Sequence, residues 1–546
     1  MEEKPRIMSI DINRKKKKII IVGAGIAGLT AGAYILRNGY EPLILEKNAL
    51  CGGLVSSFSE DGFLFDTGPR AIGNAGIVMP MLADLDIDLP VVKGEVSTGI
   101  GDQIVHYDSN ANIDDFVASL RNLFPESLEE IKRIEREIRI NTGMAEVLNK
   151  VANPFFKSVL KDRRYLLKEF MPWLPSFLSV LVRTSLSNRS VEEVLASISS
   201  NTSLNDMISQ YFFKGTPANF AFGYFANYQD YKYPLGGTAQ LPKSLVQKIS
   251  AGGGVIRNET EVVEIDSVKK RLTDQNGEEY SYDVLLWAAD LKSLFRLHDR
   301  RESPSKISNT IAREEQKYLS VNAGESVFTI FLAVDLPPEV FSKISRGHFI
   351  YTPKQRGLGE IHRKRLDRLK NNFSIITKQE LFMWLKDFCA YNSYEISIPV
   401  LKDESLAPPN KTGLIISLLI DGALFRLVAK AGWYDEFREK TVAYMLDTLD
   451  ATVYPGLKEK ILFRKTATPI TLMNMFRTSE GAITGWSLEE KPPVPNSLVG
   501  ITGTAKTAIP YVYKAGQWSY SPSGVPIAVL TGRIAAGKII KAARKL

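Results

Sequence analysis

An α/β fold, with a parallel βαβ unit close to the N-terminus and a second α+β domain, follows from three observations. The apolar run Ile19–Val22 is followed at once by glycines in G-x-G-x-x-G spacing, Gly23, Gly25 and Gly28. A helical pattern over residues 27–37 stops at Asn38-Gly39, and a second apolar run, Pro42–Leu45, ends on Glu46. The chain is 546 residues long, more than one hydrophobic core organises, so at least one further domain is expected.

Each part of the N-terminal unit has a physical reason. Ile19–Val22 is short and β-branched, as a strand buried on both faces in a parallel sheet should be. Gly23 makes the tight turn, Gly25 lets backbone approach a pyrophosphate, and Gly28 lets helix and strand pack closely. The helix N-terminus stabilises phosphate charge, and Asn38-Gly39 supplies a C-terminal stop. Glu46 lies about twenty residues on, where a carboxylate accepts hydrogen bonds from a ribose. Gly23, Gly25, Ile26, Ala27, Gly28, Glu46 and Lys47 are therefore read as a dinucleotide site; the alternative is a glycine-rich turn without a ligand.

The residues that follow distinguish between dinucleotides. Gly52-Gly53, followed by Leu54, lets the chain pass close to the cofactor a second time. Phe63, Phe65 and the turn at Gly68-Pro69 are expected to form a short hairpin folded back over it. A simple nicotinamide dehydrogenase does not need this return path, whereas a cofactor extending deep into the protein does. At the other end, Gly516, Pro522 and Gly524 permit close backbone approach, and Val525-Pro526 opens a helix with proline in its first turn. That helix N-terminus would offer partial positive charge to a group that becomes anionic on reduction; otherwise it only packs on the sheet.

Composition narrows the class. Hydrophobic residues are 44% and charged residues 24%, which excludes a largely disordered chain. Lys+Arg 69 against Asp+Glu 61 gives +8, a mild and dispersed excess, so no nucleic-acid partner is expected. Two cysteines, Cys51 and Cys389, exclude a disulfide scaffold or a Cys-rich zinc site. His106, His298, His348 and His362 lie far apart, so no metal centre is expected. Residues 1–18 resemble neither a secretory signal nor a transit peptide, which suggests a cytoplasmic protein. The basic run 14–18 is either a solvated lead-in or a basic patch.

The sequence resembles the flavoprotein desaturases and isomerases related to bacterial phytoene desaturase, plant carotenoid isomerase and retinol saturase, within the FAD-linked amine oxidase superfamily. The resemblance covers most of the chain. It rests on GAGIAGLTAG, CGG and GFLFDTGP near the N-terminus, and on YPLGGT, GGGVIRNETEVVEI and YDVLLWAAD in the middle. DESLAPP, ATPITLMNMFRTSEGAITGW and the C-terminal GQWSYSPSGVPIAVLTGRIAA complete it. It implies non-covalent FAD in a Rossmann-type, GR2-like domain, with a second, discontinuous α+β substrate domain. It implies further that Val262 clamps the adenine and that Pro69, Arg70, Gly516, Gln517, Trp518, Gly524, Val525 and Pro526 lie around the flavin ring. NAD(P)H stays open as an external reductant.

The FAD domain is then expected at 15–100, 232–300 and 481–546, and the substrate domain at 101–231 and 301–480. Val255-Ile256, residues 262–265 and Val284–Trp287 read as strands, with a hairpin turn at Asn276-Gly277. The aromatics Phe220, Phe222, Tyr224, Phe225 and Tyr228 read as core or as the lining of a substrate channel. Residues 165–183 combine Leu, Phe, Met and Trp with flanking Lys161, Arg163, Arg164, Lys168 and Arg183. They are too short to span a bilayer, and Pro172 and Pro175 should break the segment, so it is either a membrane-interface element or a core helix. The basic stretch 362–370 either assists lipid contact or forms a solvated face.

The flavin itself would carry the hydride, which suits the scattered histidines. Arg70 is the catalytic candidate, placed to stabilise a developing anion or bind a substrate carboxylate; its structural alternative pairs it with Asp66 or a phosphate. The GPR sequence resembles protoporphyrinogen oxidases at this point more than the desaturases. Leu54 replaces a usual Arg or Lys, and Gln517 an acidic residue. The expected function is desaturation, saturation or isomerisation at C–C or C=C bonds of a lipophilic isoprenoid or polyene, at a membrane surface, with oligomeric state open. The alternatives are a protoporphyrinogen- or amine-oxidase-like enzyme, or a non-catalytic prenyl-lipid carrier.

Overall fold

The computed structural model describes residues 17–107, 113–151, 153–156, 162–185, 189–228, 230–299 and 305–546. Lys161 and the basic run up to Lys16 lie outside the described residues. Two sheets organise the chain. The first contains β1 (Ile19–Val22), β2 (Pro42–Leu45), β3 (Val255–Arg257), β4 (Val284–Trp287) and β5 (Val512–Lys514). Its spatial order is β3-β2-β1-β4-β5 and every pair is parallel. The four residues of β1 and of β4 are all buried, the reason these runs are uniformly apolar rather than alternating.

Helix α1 (Ile26–Arg37) packs on this sheet, and the C-terminal helix α2 (Val525–Ala543) packs on α1. Glycines make the approach close: a Cβ at Gly532 would stand 2.4 Å from the Ala27 carbonyl oxygen. A smaller sheet joins Val262–Asp266 to the hairpin Arg271–Asp274 and Glu279–Ser281, with its turn at Asn276-Gly277 as expected.

The second large sheet has seven strands. In spatial order they are Ile461–Ala467, Ser326–Val334, Thr412–Ile420, Tyr394–Ser397, His348–Thr352, Val96–Ile100 and Gln103–Tyr107. All neighbours are antiparallel except His348–Thr352 with Val96–Ile100. The helices Lys378–Tyr391 and Tyr434–Asp450 cover one face, burying Trp384, Leu385, Phe388 and Met445 with Tyr394 and Ile396.

Several sequence expectations shift. Val96–Ile100, placed with the nucleotide unit, pairs into the seven-stranded sheet. The helix Ser305–Leu319, placed with the second unit, buries Ile311 and Tyr318 against the core of β1 and β4, because its apolar face covers that sheet. Proline does not interrupt residues 165–183. A π-helical turn, Leu166–Phe170, leads into a helix, Met171–Ser185, that runs through Pro175. Pro172 lies in that helix's first turn, where a proline is tolerated. This element has two faces: Tyr165 and Trp173 pack with Val151, while Leu167, Met171, Leu178 and Val182 are exposed. Among the described residues, no helix is long and apolar enough to cross a membrane. Of the aromatic group, Phe222, Phe225 and Tyr228 are core, whereas Phe220 is exposed.

Candidate functional site

The N-terminal glycine turn has the features a pyrophosphate requires. The Gly23 N–H donates to the Leu45 carbonyl, which ties the turn to β2. A Cβ at Gly28 would lie 2.0 Å from the Gly23 carbonyl oxygen, so close helix–strand contact demands glycine there. Gly25 is different: a Cβ would meet nothing within 4 Å, and no side chain caps the helix that starts after it. Uncapped N–H groups beneath open space are the anion site of a helix N-terminus, and Ile26 and Ala27 form its first turn.

The second glycine pair runs alongside the first. Gly52 N–H donates to the Ala24 carbonyl at 2.8 Å, and a Cβ at Gly53 would stand 3.5 Å from the Gly25 Cα. Glu46 is buried with its carboxylate accepting from the Ala24 N–H at 2.7 Å and the Asn48 N–H at 2.9 Å. Burial raises its pKa, opposed by those two bonds. The carboxylate keeps acceptor capacity for ribose hydroxyls. Val262 is buried in the same core as Leu45.

The closing segment reaches the same end of the molecule. Gly516, at φ +99°, faces α1, with its Cβ position 3.5 Å from the Ala27 Cβ, and its N–H donates to the Thr531 hydroxyl. Trp518 is buried edge-on to Trp486, whose indole N–H donates to the Trp518 carbonyl. A Cβ on Gly485 would collide with the Gln517 carbonyl oxygen, which packs these turns together. Gly524 precedes α2, whose first turn, with Val525 and Pro526, carries no side-chain cap and no acidic residue. The α2 helix also touches Ile72–Gly73, just past Arg70. Beside this turn the buried hydroxyls of Ser519 and Ser523 have no hydrogen-bond partner among the described residues. Two uncapped helix starts, a buried carboxylate and orphaned hydroxyls fit a cofactor with a ribose, a pyrophosphate and a polar ring, as FAD has.

Three expectations need correction. Lys47 donates to the Asn474 and Met475 carbonyls at the end of the helix Pro469–Phe476, so its charge serves that helix terminus. The hairpin turns at Asp61-Gly62 between Ser57–Glu60 and Phe63–Asp66, not at Gly68-Pro69. Its Phe63 and Phe65 rings pack with Phe331 and Phe463 of the seven-stranded sheet, because that sheet supplies the apolar surface they bury. Leu54 contributes backbone: a Cβ at Gly68 would lie 1.7 Å from its carbonyl oxygen, which brings the turn bearing Pro69 against the glycine pair.

Arg70 is directed away from open space. Its Nη1 donates to the Asp66 carbonyl at 2.8 Å and its Nη2 to the Ser417 hydroxyl at 2.6 Å, and the side chain is 3% exposed. The Nε lies 3.9 Å from a Glu395 oxygen, an ion pair without a hydrogen bond. The other Glu395 oxygen meets the His348 Nε2 at 3.1 Å, and His348 stacks on Tyr231. Lys402 donates to the Arg70 carbonyl and to the Ser397 hydroxyl, both at 2.7 Å, and lies over the Tyr233 ring. The Asp66 carboxylate accepts from Tyr233, Ser57 and Thr238.

Electrostatics set the charges of this cluster. Burial alone would raise the Glu395 carboxyl, yet the His348 bond and the nearby Arg70 hold it down at about 2. Burial lowers Lys402 to about 7 and lowers His348 as well. Glu395, Lys402 and Ser417 escaped the sequence reading, which took His348 only as one of four scattered histidines. The only signal was one carboxylate, Glu395, in the otherwise uncharged strand YEIS.

The fold and this site define a flavin-dependent oxidoreductase with a nucleotide-binding unit joined to a substrate unit. The chain belongs to the flavin-containing amine oxidoreductase family, whose profile matches residues 26–540. It is 22% identical to prolycopene isomerase 2 of an Oncidium hybrid cultivar, over 95% of this chain and 83% of the relative. It is 23% identical to 4,4'-diapophytoene desaturase of Staphylococcus aureus, over 96% and 99%. The inactive all-trans-retinol 13,14-reductase of Danio rerio is 21% identical over 91% and 82%. Among solved structures, an oxidoreductase from Methanosarcina mazei superposes with a TM-score of 0.60 at 16% identity, over 96% of this chain and 100% of that one. The protein is an FAD-dependent oxidoreductase.

Proposed function

We propose that this oxidoreductase acts on C–C or C=C bonds of a lipophilic isoprenoid or polyene substrate, by desaturation, saturation or cis–trans isomerisation. The observation that carries the reading is the span of the relatives: a prolycopene isomerase, a diapophytoene desaturase and an inactive all-trans-retinol 13,14-reductase each match more than nine-tenths of the chain. Bound FAD supplies the hydride acceptor or donor. Gly25 with the first turn of α1 would hold its pyrophosphate, Glu46 its ribose, and the first turn of α2 its ring. The Phe58, Phe65 and Phe331 rings pack together where the hairpin meets the seven-stranded sheet and fix the hairpin on it. Lys402 Nζ, bonded to the Arg70 carbonyl and the Ser397 hydroxyl, would hold the turn at Arg70 in place beside the site.

Contact with a membrane surface belongs to the same reading, supported by exposed Leu167, Met171, Leu178 and Val182 beside Lys168 and Arg183. Replacing those four apolar residues with serine is expected to abolish flotation with anionic vesicles while leaving the flavin spectrum unchanged. Anaerobic titration of the flavin spectrum tests the reaction. Bleaching by a polyene or isoprenoid alone identifies a hydride-donating substrate. Bleaching only by NAD(P)H, with reoxidation by an added polyene, identifies saturation. A flavin that responds to neither would overturn desaturation and saturation. Isomerisation is then tested by chromatography of a cis-polyene incubated with reduced enzyme.

A further inference from the structure

The Glu395 carboxylate occupies an unusual place. Its strand, Tyr394–Ser397, is the fourth of seven, with three strands on either side. Tyr394 and Ile396 point into the helix-covered core and are fully buried. Glu395 and its cross-strand partners Ser417 and Ile350 point to the opposite face. Ser417 is buried there, yet the Glu395 side chain is 45% exposed although it lies deep within the molecule. Open space therefore adjoins the carboxylate at the centre of the sheet, beside the turn that carries Arg70.

Arg70 is 3% exposed, with both Nη atoms engaged by Asp66 and Ser417. Lys402 donates two bonds and directs its charge at the Tyr233 ring. Glu395, in contrast, accepts one hydrogen bond among the described residues, from His348, although an ionised carboxylate offers about four acceptor sites. Arg70 lies against the carboxylate and Lys402 acts on it at longer range, so its charge is offset while acceptor capacity remains beside the open space. Tyr224 and Tyr231 are joined by their hydroxyls; burial raises both pKa values, and the nearby Glu395 adds a smaller push in the same direction. A carboxylate beside tyrosine rings suits a hydroxyl or an ammonium and rejects another carboxylate.

We propose that Glu395 receives the hydrogen-bond-donating head group, a hydroxyl or a primary ammonium, of the lipophilic substrate, and so sets which end of the chain enters beside the flavin. The proposal rests on the lipophilic-substrate reading and corrects one part of the sequence expectation: Arg70 neutralises Glu395 rather than meeting a substrate carboxylate.

A matched series on one tail tests it: farnesol, farnesylamine, farnesoic acid and farnesene, titrated into FAD-loaded protein and followed by tryptophan quenching. The alcohol or the amine is expected to bind at least tenfold more tightly than the acid and the hydrocarbon, with that preference falling below threefold in E395Q. Tighter binding of the amine identifies an ammonium head, and tighter binding of the alcohol a hydroxyl. Preference for the acid, equal binding of farnesene and farnesol, or a preference that survives in E395Q would each overturn the proposal while leaving the lipophilic reading intact. Failure of all four to bind overturns both. Should E395Q lose its flavin, the order of the four ligands in the wild-type protein decides alone.

Discussion

The five-stranded and seven-stranded sheets build their sites by different means. Around the parallel sheet the chemistry belongs to backbone: glycines without room for a Cβ, carbonyls that fix the turn, and helix starts left uncapped. On the seven-stranded sheet it belongs to side chains that meet across strands, with Arg70, His348, Glu395 and Ser417 drawn from segments up to 347 residues apart. The first kind of site tolerates little change in shape where glycines pack, and apart from Glu46 it depends on few side chains. The second can change its chemistry by substitution while the sheet persists.

The largest expected effect breaks the backbone site. Gly28→Ala places a Cβ 2.0 Å from the Gly23 carbonyl oxygen and is expected to cost about 3 kcal/mol or more, read as a lowered Tm and flavin-free protein. Gly25→Ala is the contrast. With nothing within 4 Å of the new Cβ, stability should change by less than about 0.5 kcal/mol while FAD affinity falls about tenfold. Equal Tm losses in the two variants would contradict the division between a packing glycine and a phosphate glycine.

Arg70→Ala should cost less and act on the other sheet. Removing one partner of a buried ion pair costs about 3–5 kcal/mol, and the half-open Glu395 reduces this to about 2 kcal/mol. Flavin occupancy is expected to hold and turnover to fall, with denaturant titration measuring the stability loss. Unchanged turnover at full occupancy would remove Arg70 from the functional cluster.

A further expected effect is a pH dependence. Burial depresses Lys402 to about 7, below its unfolded value near 10.4, so between those values the unfolded chain binds more protons than the folded one. Stability contributed by this group therefore rises with pH from about 7 to about 10. Lys402→Met should flatten that part of a Tm-against-pH curve. An unaltered slope would show that another group titrates there.

Glu395 titrates with the same sign of slope in a separate, acidic window. Its depressed carboxyl contributes stability above about pH 4, and that contribution is lost as pH falls toward 2. The two sides of the cluster are thus separable in one set of melting curves.

The sequence by itself determined the parallel unit, because that information is local. Ile19–Val22, the three glycines and Glu46 lie within one βαβ stretch, and the turn's geometry dictates their spacing. The C-terminal turn was legible for the same reason, its glycines and Pro526 preceding one helix. Only the tertiary structure decided what Lys47, Arg70 and Glu395 do. A charged side chain's role depends on which neighbour reaches it first. Lys47 met a helix terminus, Arg70 met Asp66 and Ser417, and Glu395 was left facing open space. Sheet pairing across hundreds of residues makes those meetings, and no local pattern in the chain encodes them.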